Sequence, residues 1–125
     1  MANLIIAETP ETPEINFSSD SGILKISGRA YSNDITIFYK QLDNWLEEYL
    51  TSPQGTTIVE LHLDYYNSIF HKLLFNFLKK CKSITEHGKN LIIKWYSTEG
   101  DEDSIDASHH YARTLEFPIE NIETE

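Results

Sequence analysis

A buried strand ends and an amphipathic helix begins within the stretch Leu63-Asp64-Tyr65-Tyr66-Asn67-Ser68-Ile69-Phe70-His71-Lys72. The start of a helix carries unpaired N–H groups and a partial positive charge, so it accepts a capping side chain or a phosphoryl group. Ser68 stands at this position. It therefore has two interpretations. It is a structural N-cap, alone or with Asn67, worth roughly 1 kcal/mol, or it is a phosphorylation site.

The elements on either side of this junction predict the fold class. The strand before it, Thr56 to Leu63, alternates apolar and polar residues, and the helix after it spans about residues 69–87. Another amphipathic helix is predicted over 33–50, and a strand with few charges over 90–96. Strands that alternate with helices indicate an α/β fold, a mixed β-sheet packed by amphipathic helices. The predicted core contains Phe38, Trp45, Leu61, Leu74, Leu78 and Ile92.

The two ends of the chain add smaller elements. Leu4 to Ala7 is predicted as a short strand, and residues 14–28 as a β-hairpin around the turn cluster Ser19-Asp20-Ser21-Gly22. A third, weaker helix is predicted from Ser104 to about Arg113. The acidic last residues are expected to be frayed. We found no internal repeat and no long linker, so residues 1–125 are expected to form one domain.

Composition excludes several classes of partner. The net charge is −10, from 20 acidic and 10 basic residues. Binding to nucleic acid or to an anionic membrane surface requires a basic footprint, so neither is expected. A protein partner with a basic face is compatible with this charge. The single Cys81 excludes an internal disulfide and is expected to be a core residue. With no signal peptide or membrane span visible, the expected location is the cytoplasm.

No pattern indicates catalysis or a bound metal. His109 and His110 are adjacent, so on a helix they point about 100° apart and cannot comfortably bind one ion. The run 101–103, Asp-Glu-Asp, lacks the ordered ligand pattern of a calcium loop and is predicted to be an acidic start of a helix. Nucleophile elbows, phosphate-binding glycine loops and dinucleotide fingerprints do not occur. We therefore expect a protein without catalytic activity and without a cofactor.

Several segments together resemble the SiaC family of bacterial regulatory phosphoproteins, a family similar to the STAS domains of anti-sigma-factor antagonists. The resemblance extends in consistent order over nearly the whole chain. The matching pieces are Thr9-Pro10-Glu11-Thr12-Pro13, Gly22-Ile23-Leu24, Ile26-Ser27-Gly28-Arg29, Phe38-Tyr39, Trp45-Leu46, Leu63 to Ser68 with Lys72, Gly88-Lys89-Asn90, Trp95-Tyr96, Asp101-Glu102-Asp103, Tyr111 and Phe117-Pro118. The resemblance implies a single STAS-like domain.

The resemblance also implies a function and a set of partners. Members of the family are phosphorylated on a hydroxyl residue by a dedicated Ser/Thr kinase and dephosphorylated by a PP2C-type phosphatase. The unphosphorylated form binds and activates a diguanylate cyclase, the enzyme that makes cyclic di-GMP. Ser68 falls on the phospho-acceptor position. The partner-binding residues implied are Asn67, Ile69, Phe70, His71 and Lys72, together with Arg29 and Tyr31.

The chain departs from the family pattern at this same place. The usual run is Asn-Thr-Ser-Ser-Ser-Lys, whereas here it reads Asn67-Ser68-Ile69-Phe70-His71-Lys72. Ser68 keeps the hydroxyl, but Ile69 and Phe70 replace small polar residues and change the recognition surface. Two alternatives therefore stay open. One is a scaffold or anti-sigma-factor-antagonist-like module that binds a kinase-like partner, and the other is a small acidic enzyme of unknown class.

Overall fold

The fold is built on a six-stranded sheet whose spatial order equals its order along the chain. The computed structural model describes residues 1–125. The first two strand pairs are antiparallel, including the predicted hairpin, and the last three pairs are parallel. The sheet is therefore mixed, as the sequence predicted. The strands are β1 Leu4–Ile6, β2 Glu14–Phe17, β3 Ile23–Ala30, β4 Thr56–Tyr66, β5 Asn90–Thr98 and β6 Glu120–Thr124.

Three α-helices connect the parallel strands. They are α1 Ile35–Tyr49, α2 Ser68–Lys82 and α3 Glu102–Leu115, and a short 3₁₀ helix, Ser83–His87, extends α2. Gly88 ends that extension with a φ of 76°, a left-handed conformation that favours glycine. Crossovers between neighbouring parallel strands are right-handed as a rule, so successive crossovers in one direction place their helices on the same face.

The core lies between this helical layer and one face of the sheet. Each helix buries an apolar stripe, and α2 contributes Phe70, Leu74, Phe77, Leu78 and Cys81. The Lys80 ammonium joins α2 to α1 at the surface through ion pairs of 2.6 Å with Asp43 and with Glu47. The predictions for Trp45, Leu61, Leu74 and Leu78 are confirmed, and Phe38 is half-buried against the core.

The prediction of Ile92 as a core residue is wrong. In β5 the residues facing the helices are Leu91, Ile93 and Trp95, while Ile92 lies on the opposite face and is 38% exposed. A strand between two parallel neighbours is normally covered on both faces. Here one face has no helical cover, so the buried positions alternate along the strand.

The expectation of a frayed C-terminus is also wrong. Residues Glu120–Thr124 form β6, which pairs in parallel with β5 from Lys94 to Thr98. The N–H of Glu99 also donates to the carbonyl of Thr124 at 2.7 Å. The acidic residues are compatible with this position because charges protect an exposed edge strand from pairing with other chains. No helix of the structure combines the length with the apolar composition that a membrane span requires.

Candidate functional site

Three helices begin at one edge of the sheet. Because β3, β4 and β5 are parallel, their carboxyl ends lie at the same edge, and α1, α2 and α3 start there. This edge of an α/β sheet is where binding sites usually form. Residues 64–72, which we call the Ser68 corner, occupy its centre, between the end of β4 and the first turn of α2.

Asn67, and not Ser68, caps α2. The Asn67 side-chain oxygen accepts a hydrogen bond of 2.9 Å from the N–H of Phe70, and its backbone carbonyl accepts one from His71. The N–H of Asn67 donates to the carbonyl of Ala30, which fastens the corner to the end of β3. Ser68 is the first residue of the helix and is exposed. The structure therefore assigns the capping role to its neighbour.

The Ser68 hydroxyl makes no hydrogen bond within the protein. The N–H groups of Ser68 and Ile69 likewise have no protein acceptor. The two oxygens of Asn67 accept from the N–H groups of the next two residues, Phe70 and His71. A free hydroxyl thus stands beside two free backbone donors at the positive end of a helix. This arrangement presents the hydroxyl to another protein and has unused donors for an added anion.

A β-bulge at Asp64 sets the directions of the tyrosines that precede the corner. Gly28 pairs with Leu63 and Arg29 with Tyr65, so Asp64 has no opposite residue on β3. If β4 kept its regular alternation past Leu63, Tyr65 would face the helices as Leu63 does. Instead Tyr66 faces them, with its ring 6.2 Å from that of Phe70, and Tyr65 is 58% exposed.

The bulge is matched by an unusual backbone position on the neighbouring strand. Gly28 has a φ of 116°, and a Cβ at this position would collide with the carboxylate of Glu8. Glu8 has a flexible side chain that can move aside, so it is the positive φ, which L side chains rarely adopt, that favours glycine at this position. The segment that follows Glu8 is fastened to the same edge, because the carbonyl of Glu11 accepts hydrogen bonds from the N–H groups of Tyr31 and Ser32.

The bulge also creates an exposed aromatic pair next to the corner. The rings of Tyr31 and Tyr65 meet edge to face with centroids 5.5 Å apart. Arg29 is exposed on the same strand end, and Ile69 is 49% exposed on the first turn of α2. Partly exposed tyrosines and arginine are typical of protein interfaces. The sequence resemblance named Arg29, Tyr31 and Ile69, whereas Tyr65 was not predicted because its direction depends on the bulge.

Phe70 and His71 face inward from the same turn. Phe70 is 1% exposed and packs in the core, so the expectation that its side chain forms part of a recognition surface is wrong. It is the apolar residue that holds the first turn of α2 on the sheet. Lys72 is exposed, and Asn67 is half-buried by its capping role. Asn67, Ile69 and Lys72 thus flank the Ser68 hydroxyl while Phe70 does not.

His71 is half-buried and links α2 to α3. The Tyr111 hydroxyl lies 2.7 Å from its Nδ1 and donates to its backbone carbonyl at 3.2 Å. Burial lowers the pKa of His71, and the charges of His110 and Lys72 lower it further. Burial raises the pKa of Tyr111. No sequence signal predicted this contact, because the two residues lie on different helices and only the tertiary fold brings them together.

The acidic turn at the third helix serves as a cap. The Asp101 carboxylate accepts a hydrogen bond of 3.2 Å from the N–H of Ser104, as expected for an acidic helix start. His109 and His110 are exposed on α3, and the ring of His110 lies 5.8 Å from that of His71. No three His, Cys, Asp or Glu side chains converge as a metal site would require.

Comparison with known proteins gives one family and one group of structures. The model of the family described as "SiaC family regulatory phosphoprotein" matches residues 6–124. An uncharacterised protein of Pseudomonas aeruginosa (strain UCBPP-PA14) is 23% identical over 119 residues, which are 95% of this chain and 94% of that protein.

Solved structures agree with this match. SiaC of Pseudomonas aeruginosa superimposes with a TM-score of 0.89 at 21% identity, over 99% of this chain and 100% of that one. A second structure holds the diguanylate cyclase SiaD of the same organism in complex with its activator SiaC. The match there has a TM-score of 0.90 at 21% identity, over 97% of this chain and 99% of that one.

Proposed function

This chain belongs to the SiaC family of regulatory phosphoproteins, and on that premise we propose that it is a non-catalytic binding module switched by phosphorylation of Ser68. The whole chain, residues 1–125, acts as one domain. Its unphosphorylated form binds and controls a signalling enzyme, for which a diguanylate cyclase is the first candidate, because the structural relative SiaC is the activator of one. A Ser/Thr kinase adds the phosphate and a PP2C-type phosphatase removes it.

The free Ser68 hydroxyl is the observation that carries this proposal. Asn67 performs the capping, so the Ser68 side chain has no structural hydrogen bond to lose when it is modified. A phosphoryl group on this residue would meet the unused N–H groups of Ser68 and Ile69 and the positive end of α2. The folded domain would therefore tolerate the modification while its surface changes charge.

The charge of the phosphoryl group determines how much phosphorylation weakens binding. A phosphoryl group carries about −1.5 to −2 charges at neutral pH. If the partner accepts the corner in its neutral form, the phosphate has to be desolvated on binding without a matched cation. A cost of roughly 2–4 kcal/mol weakens binding by about 30- to 1000-fold.

The contact surface we propose combines both sides of the edge. Ile69 and Lys72 contribute from the exposed side of the first turn of α2, and Arg29 and Tyr31 from the end of β3. The exposed ring of Tyr65, held edge to face against Tyr31, adds an aromatic contact that the bulge makes available. Ile69 gives this surface an apolar centre and favours a partner with a matching apolar patch.

Asn67 and His71 support the contact surface from behind. Asn67 holds the first turn by its cap, and His71 holds it against α3 through Tyr111. Both side chains are only half-buried, so their remaining exposed atoms lie within reach of a partner.

The first step of the test is to identify the binding partner. The protein is used to capture binding proteins from its own cells, with and without phosphatase treatment, and a captured diguanylate cyclase is then titrated with purified variants. Ser68→Ala is expected to bind as the wild type does and to resist phosphorylation. Ser68→Asp is expected to bind at least about 30-fold more weakly, with an unchanged melting temperature.

A matched control distinguishes a charge at Ser68 from a charge elsewhere on α2. Asn76→Asp adds one negative charge to an exposed site two turns further along α2, and it is expected to bind as the wild type does. Mass spectrometry of the protein from cells identifies the modified residue. If Ser68→Asp binds as tightly as the wild type and no phosphate is found on Ser68, the switch does not exist. Capture of a kinase-like protein in place of a cyclase would select the antagonist-like function.

A further inference from the structure

One face of the sheet has no cover. The helices pack on the face that contains Leu24, Val59 and Ile93, and the opposite face, which we call the open face, is lined by the alternate residues of β3 to β6. Ile23 and Ile92 on it are 36% and 38% exposed. Sheets with one solvated face are common in proteins and need no partner. The alternation of positive and negative side chains across this face is less common.

The strand registers place four charged residues side by side across the open face. Lys25 pairs with Glu60, Glu60 with Lys94, and Lys94 with Glu120. The signs therefore alternate along this row, which we call the charged row. None of its members forms an ion pair in the monomer, since the ion pairs of the protein are those of Lys80 on the helical side. All four charges are free to meet charges from outside.

The rows on either side are apolar and aromatic. Ile23, Ile58 and Ile92 are paired across three strands next to the charged row. On its other side the rings of His62 and Tyr96 stack with centroids 3.9 Å apart. The charged row thus lies between two rows that gain from burial.

This pattern is complementary to itself. A two-fold axis that runs parallel to the strands, between β4 and β5, places β3 of one copy over β6 of the other and β4 over β5. Lys25 then faces Glu120 of the second copy and Glu60 faces Lys94, so every charge meets the opposite sign. The isoleucine row meets the isoleucine row. An isologous interface has this property, in which one patch serves both copies.

We propose that the open face is a docking surface for a second copy of this chain, packed sheet on sheet about the two-fold axis between β4 and β5. Aligned sheets stack about 10 Å apart, with their strands at roughly 30°, so the pairs nearest the axis fit best. Those pairs are the two symmetric contacts between Glu60 and Lys94. The charged row crosses β3 at Lys25, four residues before Arg29 of the proposed contact surface, and the proposal does not depend on the proposed function.

Association is expected to be weak. Three rows on four strands span about 13 Å by 14 Å at ordinary strand spacings, which is smaller than the ~800 Å² per partner of a standard stable interface. Each copy also carries a net charge of −10. The measurement is therefore made at about 0.15 M salt, where the Debye length is about 8 Å and long-range repulsion is screened.

The experiment is sedimentation of the full chain and of charge-reversed variants, from about 10 to 500 µM, a range suited to weak association. The wild type is expected to sediment faster as its concentration rises. Lys94→Glu and Glu60→Lys, each alone, place like charges opposite each other and are expected to remain monomeric. An equal mixture of these two variants restores opposite signs at both contacts and is expected to associate.

Two controls make the result decisive. The double variant with Glu60→Lys and Lys94→Glu in one chain keeps every intermolecular pair complementary and is expected to associate as the wild type does. Lys40→Glu reverses an exposed charge on α1 and is expected to have no effect on association. Circular dichroism verifies that each variant is folded. A wild type that is monomeric throughout the range, or a mixture that behaves as its separate components do, overturns the proposal.

Discussion

The division of roles between Asn67 and Ser68 is the sharpest consequence of the Ser68 corner. Asn67→Ala removes the side-chain acceptor that lies 2.9 Å from the N–H of Phe70. Loss of such a cap costs about 1 kcal/mol, within a range of about 0.5–2. For a chain of 125 residues this corresponds to a melting temperature lower by about 3–5 °C.

Ser68→Ala removes a hydroxyl that is exposed and makes no hydrogen bond, and alanine is a good helix former. The expected change in the free energy of unfolding is therefore below about 0.5 kcal/mol in either direction. Thermal unfolding by calorimetry and urea titration at neutral pH measure both variants. Asn67→Asp is the matched control, because it keeps the acceptor and adds a charge favourable at this helix end, so it is expected to be at least as stable as the wild type.

Equal destabilisation by Ser68→Ala and Asn67→Ala would contradict this division of roles. Ser68 would then be a structural residue, and loss of partner binding in Ser68 variants would report damage to the fold. Equal stability of Asn67→Ala and the wild type would contradict the assigned cap.

Four further predictions concern the rest of the molecule. The pKa of His71, measured by NMR titration, is expected to lie below 6.5, and a pKa above 6.5 would contradict its burial. Because the folded pKa is lowered, the stability that His71 contributes is complete above pH 6.5 and falls as the pH drops toward the folded pKa. Cys81 is fully buried and its pKa is raised, so a thiol reagent is expected to react only after unfolding, and rapid reaction of the native protein would show an open core. Removal of residues 120–125 is expected to lower the free energy of unfolding, measured by urea titration, by at least about 2 kcal/mol because the β5–β6 hydrogen bonds are lost. Unchanged stability would indicate that these residues are frayed. A chelator is expected to leave the melting temperature unchanged, and a fall of many degrees would reveal a metal.

Hydrophobic periodicity predicted the elements of the fold better than it predicted which faces are covered. The stripes of α1 and α2 and the alternation of β4 were sufficient to predict both helices and the strand between them. Ile92 was misassigned because an apolar run such as Leu91-Ile92-Ile93 does not show which side of a strand receives the helices. That side is decided by the handedness of three crossovers, which is a property of the whole chain.

The C-terminal strand was missed for a related reason. Residues 120–124 are polar at most positions, and their strand conformation comes from pairing with β5, a non-local interaction that local propensity does not contain.

The position of the Ser68 corner in the fold was predicted from the sequence, and the directions of its side chains were predicted less well. The sequence placed a hydroxyl at a strand-to-helix junction, and the family resemblance added Arg29 and Tyr31 from a neighbouring strand. The direction of Tyr65 depends on the bulge at Asp64, and the inward direction of Phe70 depends on helical phase. The contact between His71 and Tyr111 depends on the packing of two helices. Each of these details requires three-dimensional information.

The agreement between spatial order and chain order in the sheet has a consequence for how the protein folds. Each strand after β1 pairs with the one that precedes it along the chain, so its partner has already been synthesised when it is added. The hairpin of β2 and β3 closes within about 15 residues, and each later strand joins the growing edge after one helical connection. A chain whose strands pair in sequence order is able to fold in step with its synthesis, from the amino terminus onward. β6 is the last strand to be added, so the edge of β5 is the surface most exposed to mispairing while the chain is incomplete.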